Sequence, residues 1–132
     1  MDPKKIMILI ADDSPIIREK LVEFLSSEPG VEILESAQDG KEAIEKINSF
    51  KPNILILDLS MPNISGFEVL KHVNKTSPQT KSIILTNHST EIFRKKAEEL
   101  GCYSFHDKYS DFELVVNEVN KIKNEKTVGE IQ

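Results

Sequence analysis

Ile6-Met7-Ile8-Leu9-Ile10 is an unbroken apolar run that stops at Ala11 and a pair of acids, Asp12-Asp13. Apolar residues without alternation over so short a stretch read as a strand buried on both faces. The pattern returns at Ile54-Leu55-Ile56-Leu57 and at Ser82-Ile83-Ile84-Leu85-Thr86. Val31-Glu32-Ile33-Leu34 is a weaker strand suited to an edge, and Tyr103-Ser104-Phe105-His106 is a short fifth. The stretches between change period. Ile17, Leu21, Phe24 and Leu25 recur at helical spacing after Ser14-Pro15, an N-cap followed by a pre-organised first position, and Pro29-Gly30 ends the run. Three further helices start with a short polar residue and a Glu three positions on: Asp39 with Glu42, Ser65 with Glu68, Ser110 with Glu113. Gly101 is placed to terminate the fourth helix after Leu100. Phe112, Val115, Val116, Val119 and Ile122 form one face of the fifth, with Lys121 and Lys123 near an end where cations suit the dipole.

Strand and helix alternating in this way predict an α/β fold of the (βα)5 type, a doubly wound parallel five-stranded sheet with helices on both faces. Right-handed crossovers leave the flavodoxin-like order 2-1-3-4-5 as the expected topology. No internal repeat is visible. Apolar periodicity stops at Asn124, so the domain is expected over residues 1–124, with a loose polar C-terminal tail over 125–132.

The chain has 132 residues, the size of one domain, and at that length roughly two-thirds of the unfolded surface can be buried. Hydrophobic residues at 39% and charged ones at 30% describe a globular protein rather than a disordered or membrane one. A net charge of −5 and a pI near 5.2 argue against direct nucleic-acid binding. Cys102 is the single cysteine, which excludes an intrachain disulfide. The first apolar run is too short for a membrane span and ends in acids, unlike a signal peptide, so the expected location is cytoplasmic.

In such a sheet ligands bind beyond the carboxyl ends of the strands. Asp12 and Asp13 end the first strand, Asp58 the third and Thr86 the fourth, and Lys108 follows the fifth. Three carboxylates at one rim repel one another, which raises a pKa or recruits a cation. Oxygen-only ligation with few protein carboxylates suits Mg2+, which bridges readily to phosphate. An ionised Asp beside such an ion can act as a nucleophile, and a Lys and a Thr hydroxyl can stabilise phosphoryl oxygens. The expected chemistry is phosphoryl transfer onto a carboxylate.

Ile8-Leu9-Ile10-Ala11-Asp12-Asp13-Ser14, Asp58-Leu59-Ser60-Met61-Pro62-Asn63-Ile64-Ser65-Gly66 and Lys108 together resemble the receiver domains of two-component response regulators, of the stand-alone chemotaxis type, over residues 4 to 124. The resemblance implies that Asp58 is the phosphoacceptor, supplied by a histidine kinase or phosphotransfer protein. It implies Mg2+ ligation by Asp13, Asp58 and the Ser60 backbone carbonyl, with Asp12 on a metal-bound water and Lys108 paired with the phosphoryl group. Thr86 would turn toward the phosphate and Phe105 would follow as the switch aromatic. The surface of the fourth helix, fifth strand and fifth helix would then change its affinity for a target protein that the sequence does not identify. Ser60, Asn87 and His88 stand where this family tunes dephosphorylation.

Two positions depart from the family pattern. Tyr109 follows Lys108 where many receivers have a proline with a cis bond; before a non-proline residue that bond costs about 2.5–4 kcal/mol. Asn87 replaces the small residue that usually follows the Thr, and its side chain could narrow access to the phosphate. The protein is expected to be a switch, not a turnover enzyme. Competing readings are a receiver cut from a longer transcriptional regulator, a Mg2+-dependent haloacid-dehalogenase-like phosphatase, and a flavodoxin-like carrier. The phosphatase would need its nucleophile on the first strand with a second Asp two residues on, and the flavin carrier a first loop of donors instead of acids. Simpler roles also compete at single residues: turn chemistry for Asp12-Asp13, a β-branched strand residue for Thr86, core packing for Phe105, and a solvated helix face for Arg94-Lys95-Lys96. His72, His88 and His106 lack metal-ligand spacing.

Overall fold

The computed structural model describes residues 5–131, with side chains described through residue 125. Among the described residues five strands alternate with five helices. The strands are β1 (Ile6–Ala11), β2 (Val31–Ile33), β3 (Ile54–Leu57), β4 (Lys81–Thr86) and β5 (Ser104–Asp107). The helices are α1 (Pro15–Ser26), α2 (Gly40–Phe50), α3 (Gly66–Thr76), α4 (Glu91–Glu99) and α5 (Phe112–Ile131). All pairings are parallel and the order is β2-β1-β3-β4-β5, as the alternation predicts, with β2 at an edge.

The side-chain alternation of each strand divides the core in two. Leu9, Ala11, Leu55, Leu57, Ile84 and Phe105 point to one face, where Ala43 and Ile47 of α2, Val69, Leu70 and Val73 of α3, and Ala97 of α4 cover them. Ile8, Ile10, Ile54, Ile56, Ile83 and Leu85 point to the other, against Leu21 and Leu25 of α1 and Phe112, Val115, Val119 and Ile122 of α5. Both faces of the sheet are therefore covered. That is why its strands read as continuous apolar runs, each fully buried side chain contributing about 1.5–3 kcal/mol.

The helix starts follow local chemistry. Ser14, Asp39 and Ser65 each accept the backbone N–H three residues on, from Ile17, Glu42 and Glu68. Thr90 does the same for Phe93 at the start of α4, a cap the sequence reading had not assigned. Ser110 is a correction. It does not cap α5: the helix starts two residues later, and Ser110 belongs to the turn built on Asp107, whose carboxylate accepts the Ser110 N–H at 3.0 Å. There the Asp111 carbonyl accepts from Leu114 and Val115. The segment expected as a loose tail is also different, since the backbone of α5 runs to Ile131, while Gln132 lies outside the described residues. Apolar periodicity has stopped at Asn124, but Lys123, Glu125 and Lys126 are good helix formers, so the backbone continues the turn already nucleated upstream.

One glycine matters for the rim. A Cβ on Gly66 would lie 2.2 Å from the Asp58 carbonyl oxygen and 2.5 Å from the Leu59 Cα. Only glycine lets the first turn of α3 press so closely on the chain just after β3.

Candidate functional site

Asp12 and Asp13 leave the end of β1, Asp58 follows β3, and Lys108 follows β5. Since β1 and β3 are neighbours in the sheet, their carboxylates meet. Asp12, Asp13 and Asp58 each offer an oxygen, and these atoms lie within 4.8 Å of one another. Asp12 and Asp58 are buried and Asp13 is exposed. Among the described residues this is the one group of three acids, histidines or cysteines close enough to hold a metal ion.

Lys108 reaches into the same space from a loop distant in sequence. Its Nζ lies 3.0 Å from Asp12 Oδ2 and 3.2 Å from Asp58 Oδ2, and it is itself only 7% exposed. One ammonium thus compensates two buried carboxylates. Their remaining oxygens are used as well. Asp12 Oδ1 accepts from the Ser14 N–H at 2.8 Å, and Asp58 Oδ1 accepts from the Ser60 N–H at 3.3 Å. Arg18 anchors the Asp12 backbone carbonyl at 2.7 Å.

Burial pushes the Asp58 carboxyl up to about 6, helped by the negative charge of Asp12 and opposed by Lys108 and the Ser60 N–H. Asp12 is raised for the same main reason, burial, with its hydrogen bonds to Ser14 and Lys108 pulling the other way. For Lys108 burial alone would lower the pKa, but the hydrogen bond and charge of Asp12, then Asp58, outweigh it and raise it. A rim with one cation for two buried acids plus a third exposed one has spare negative charge, which a divalent cation would neutralise.

The other predicted residues occupy distinct places. Thr86 ends β4 fully buried, and its Oγ1 accepts the His88 N–H at 3.0 Å. Phe105 is buried in the core on the α4 side, with the Arg94 guanidinium 4.8 Å from its ring centre. The predicted solvated face of α4 is therefore partly engaged, since Lys96 also stacks on Phe67. Ser60, Asn87 and His88 are exposed, and the His88 ring meets Phe93 edge-on at 6.0 Å. Cys102 is half-buried, its thiol pushed up to about 11 by burial and by Glu98, as in an unreactive, packed cysteine. The bond joining Lys108 to Tyr109 is trans.

Sequence reasoning missed Asp107 and Ser89. The Asp107 carboxylate accepts from the Tyr109 and Ser110 N–H groups and from Ser89 Oγ, joining two rim loops. An Asp two and three residues before free amides is a turn signal that could have been read.

A family model described as response regulator receiver domain matches residues 8–120. The chain is 36% identical over 102 residues to a protein-glutamate methylesterase/protein-glutamine glutaminase of Koribacter versatilis, a match covering 76% of this chain and 28% of the relative. It spans well under a third of that curated relative. The response regulator domain of Thermotoga maritima CheB is similar in structure, with a TM-score of 0.78 at 30% identity, covering 93% of this chain and 97% of that one. A chain from the CheX-CheY-BeF3-Mg+2 complex of Borrelia burgdorferi gives a TM-score of 0.81 at 27% identity, covering 89% and 88%. No helix among the described residues is long and apolar enough to cross a membrane.

Proposed function

Because this chain belongs to the response regulator receiver family of two-component signalling, we propose that it is a phosphorylatable switch with Asp58 as the acceptor. A carboxylate oxygen of Asp58 forms an O–P bond while the P–N bond of a phosphohistidine breaks, and the leaving imidazole keeps the electron pair. The donor is a histidine kinase or phosphotransfer protein. The acidic oxygens gathered at the rim fit Mg2+, an oxygen-seeking ion that keeps several of its waters. Mg2+, when bound, offsets charge on the transferring phosphoryl group. Asp13, Asp58 and the Ser60 carbonyl would hold it, with the Asp12 carboxylate beside them to hold one of its waters.

Lys108 already sits between Asp12 and Asp58, so the same ammonium is ready to pair with a phosphoryl oxygen on Asp58. Thr86 turns its hydroxyl from the His88 N–H to that phosphoryl group, and Phe105 follows. The face built by α4, β5 and α5 then changes its affinity for a target protein, without contact to nucleic acid. Ser60, Asn87 and His88, exposed near this rim, set how fast the acyl phosphate is hydrolysed. The switch works in the cytoplasm.

The observation that carries this reading is the buried triangle of Asp12, Asp58 and Lys108 beside the exposed carboxylate of Asp13. Intact-mass spectrometry after incubation with acetyl phosphate tests it. One added phosphoryl group, dependent on Mg2+ and lost in Asp58→Asn, is expected; an unmodified wild-type protein at saturating donor would refute it. A second reading, a receiver working within a longer regulator, is favoured by the relative in which the matched region is 28% of the chain. The full-length gene product decides between the two.

A further inference from the structure

The loop that aims Lys108 lacks the proline this family often places after the lysine, and Tyr109 stands there 79% exposed. Something else holds it. Asp107, the last residue of β5, carries an unusual load: one oxygen, Oδ1, accepts from the Tyr109 N–H at 2.8 Å and from the Ser110 N–H at 3.0 Å. The other, Oδ2, accepts from Ser89 Oγ at 2.7 Å, across from the loop that follows β4. The Asp107 N–H donates to Asp111 Oδ2 at 2.9 Å, and the Asp111 N–H returns to the Asp107 carbonyl at 3.0 Å. The residue on either side of the link is functional in the reading above. Asp107 pairs with Thr86 in the sheet register, and the Lys108 N–H donates to the Thr86 carbonyl at 3.0 Å.

We infer that Asp107 is a positioning residue: its carboxylate, braced by Ser89 from the neighbouring loop, holds the β5–α5 loop in the shape that aims Lys108 at Asp58. A simple turn needs only one carboxylate oxygen on the following amides. The Ser89 bond goes further, because it ties the Lys108 loop to the loop that begins at Thr86. Hydrogen bonding from Ser89, then from Ser110 and Tyr109, holds the Asp107 carboxyl well below the usual range, so the clamp is ionised through the neutral pH range. The clamp supplies by hydrogen bonds the stiffness that a proline ring would supply covalently.

The inference rests on the phosphoacceptor reading, and two measurements separate their fates. With acetyl phosphate and Mg2+ both saturating, Asp107→Ala slows phosphorylation of Asp58 about tenfold and Ser89→Ala about threefold, the scale of one or two lost orienting hydrogen bonds. Asp107→Asn, which keeps an acceptor for both amides, and Ser89→Thr recover most of the rate. In a Lys108→Ala background, Asp107→Ala adds no further slowing, since it acts through the lysine. A wild-type rate in Asp107→Ala, or a slowing that multiplies with that of Lys108→Ala, overturns the inference and leaves the acceptor reading intact. The second measurement needs no phosphorylation. In 15N-labelled protein the Lys108 ammonium signal, slowed in exchange by its two ion pairs, broadens in Asp107→Ala while core amides such as Ile84 keep their protection. An unchanged Lys108 signal overturns the inference even if the wild-type protein takes up no phosphoryl group.

Discussion

Asp58 lies in surroundings that favour its protonated form, and the sign of the consequence can be followed. Its folded pKa of about 6 stands above the ordinary 3.8, so between those values the folded chain binds more protons than the unfolded one. Its contribution to stability is therefore fully present below the ordinary value and is lost as pH rises through about 6. Metal binding runs the opposite way, because the ion must displace that proton. Mg2+ affinity is expected to be about tenfold weaker at about pH 5 than at about pH 8, measured by titration calorimetry; equal affinities would place the metal away from Asp58. Lys108→Ala leaves two buried carboxylates facing each other without a cation, and should cost about 3 kcal/mol in denaturant melts at neutral pH, less in acid. Asp58→Asn removes one of those charges, so without metal it should melt no lower than the wild type. The sequence makes Asp12, Asp13 and Asp58 legible because each ends an apolar run. The ion pairs of Lys108 were not legible as contacts, since they span 96 and 50 positions and depend on how the last loop folds back.

At the scale of elements, the continuous runs of β1, β3 and β4 announce a sheet covered on both sides, and three of the four N-caps found in the structure could be read directly from Ser14, Asp39 and Ser65. The start of α5 could not. Ser110 and Asp111 are both residue types that cap, but the Ser110 amide is drawn to the Asp107 carboxylate and the Asp111 carboxylate accepts the Asp107 N–H, contacts that the sequence does not display. The helix likewise continues past Ile122, beyond the end of the apolar pattern, because extending a formed helix adds a hydrogen bond per residue. Gly66 shows what a motif glycine does physically: it closes the gap between α3 and the backbone of Asp58. Gly66→Ala should therefore cost about 3 kcal/mol or shift that loop, with thermal melting as the readout and weakened Mg2+ binding as its companion. A variant that melts and binds like the wild type would mean the contact yields freely.

For the molecule as a whole, the fold is a sheet covered by helices on both faces, with a polar rim at the carboxyl ends of its strands. Loading that rim should stabilise everything beneath it: at about one hundred times its dissociation constant Mg2+ adds about 2.7 kcal/mol, read as a raised melting temperature. Asp13→Asn should lose most of that gain while leaving the metal-free melt unchanged, because Asp13 is exposed. Fold and rim were readable because topology follows from alternation, and the rim's acids follow from where the strands stop. The clamp between the last two loops was not, because it joins Ser89 to Asp107 by tertiary contact. The most direct test of the central claim is peptide mapping of the protein after treatment with acetyl phosphate and Mg2+. A single phosphoryl group on the peptide containing Asp58 is the predicted result, and a phosphoryl group found elsewhere, or none, would contradict the account.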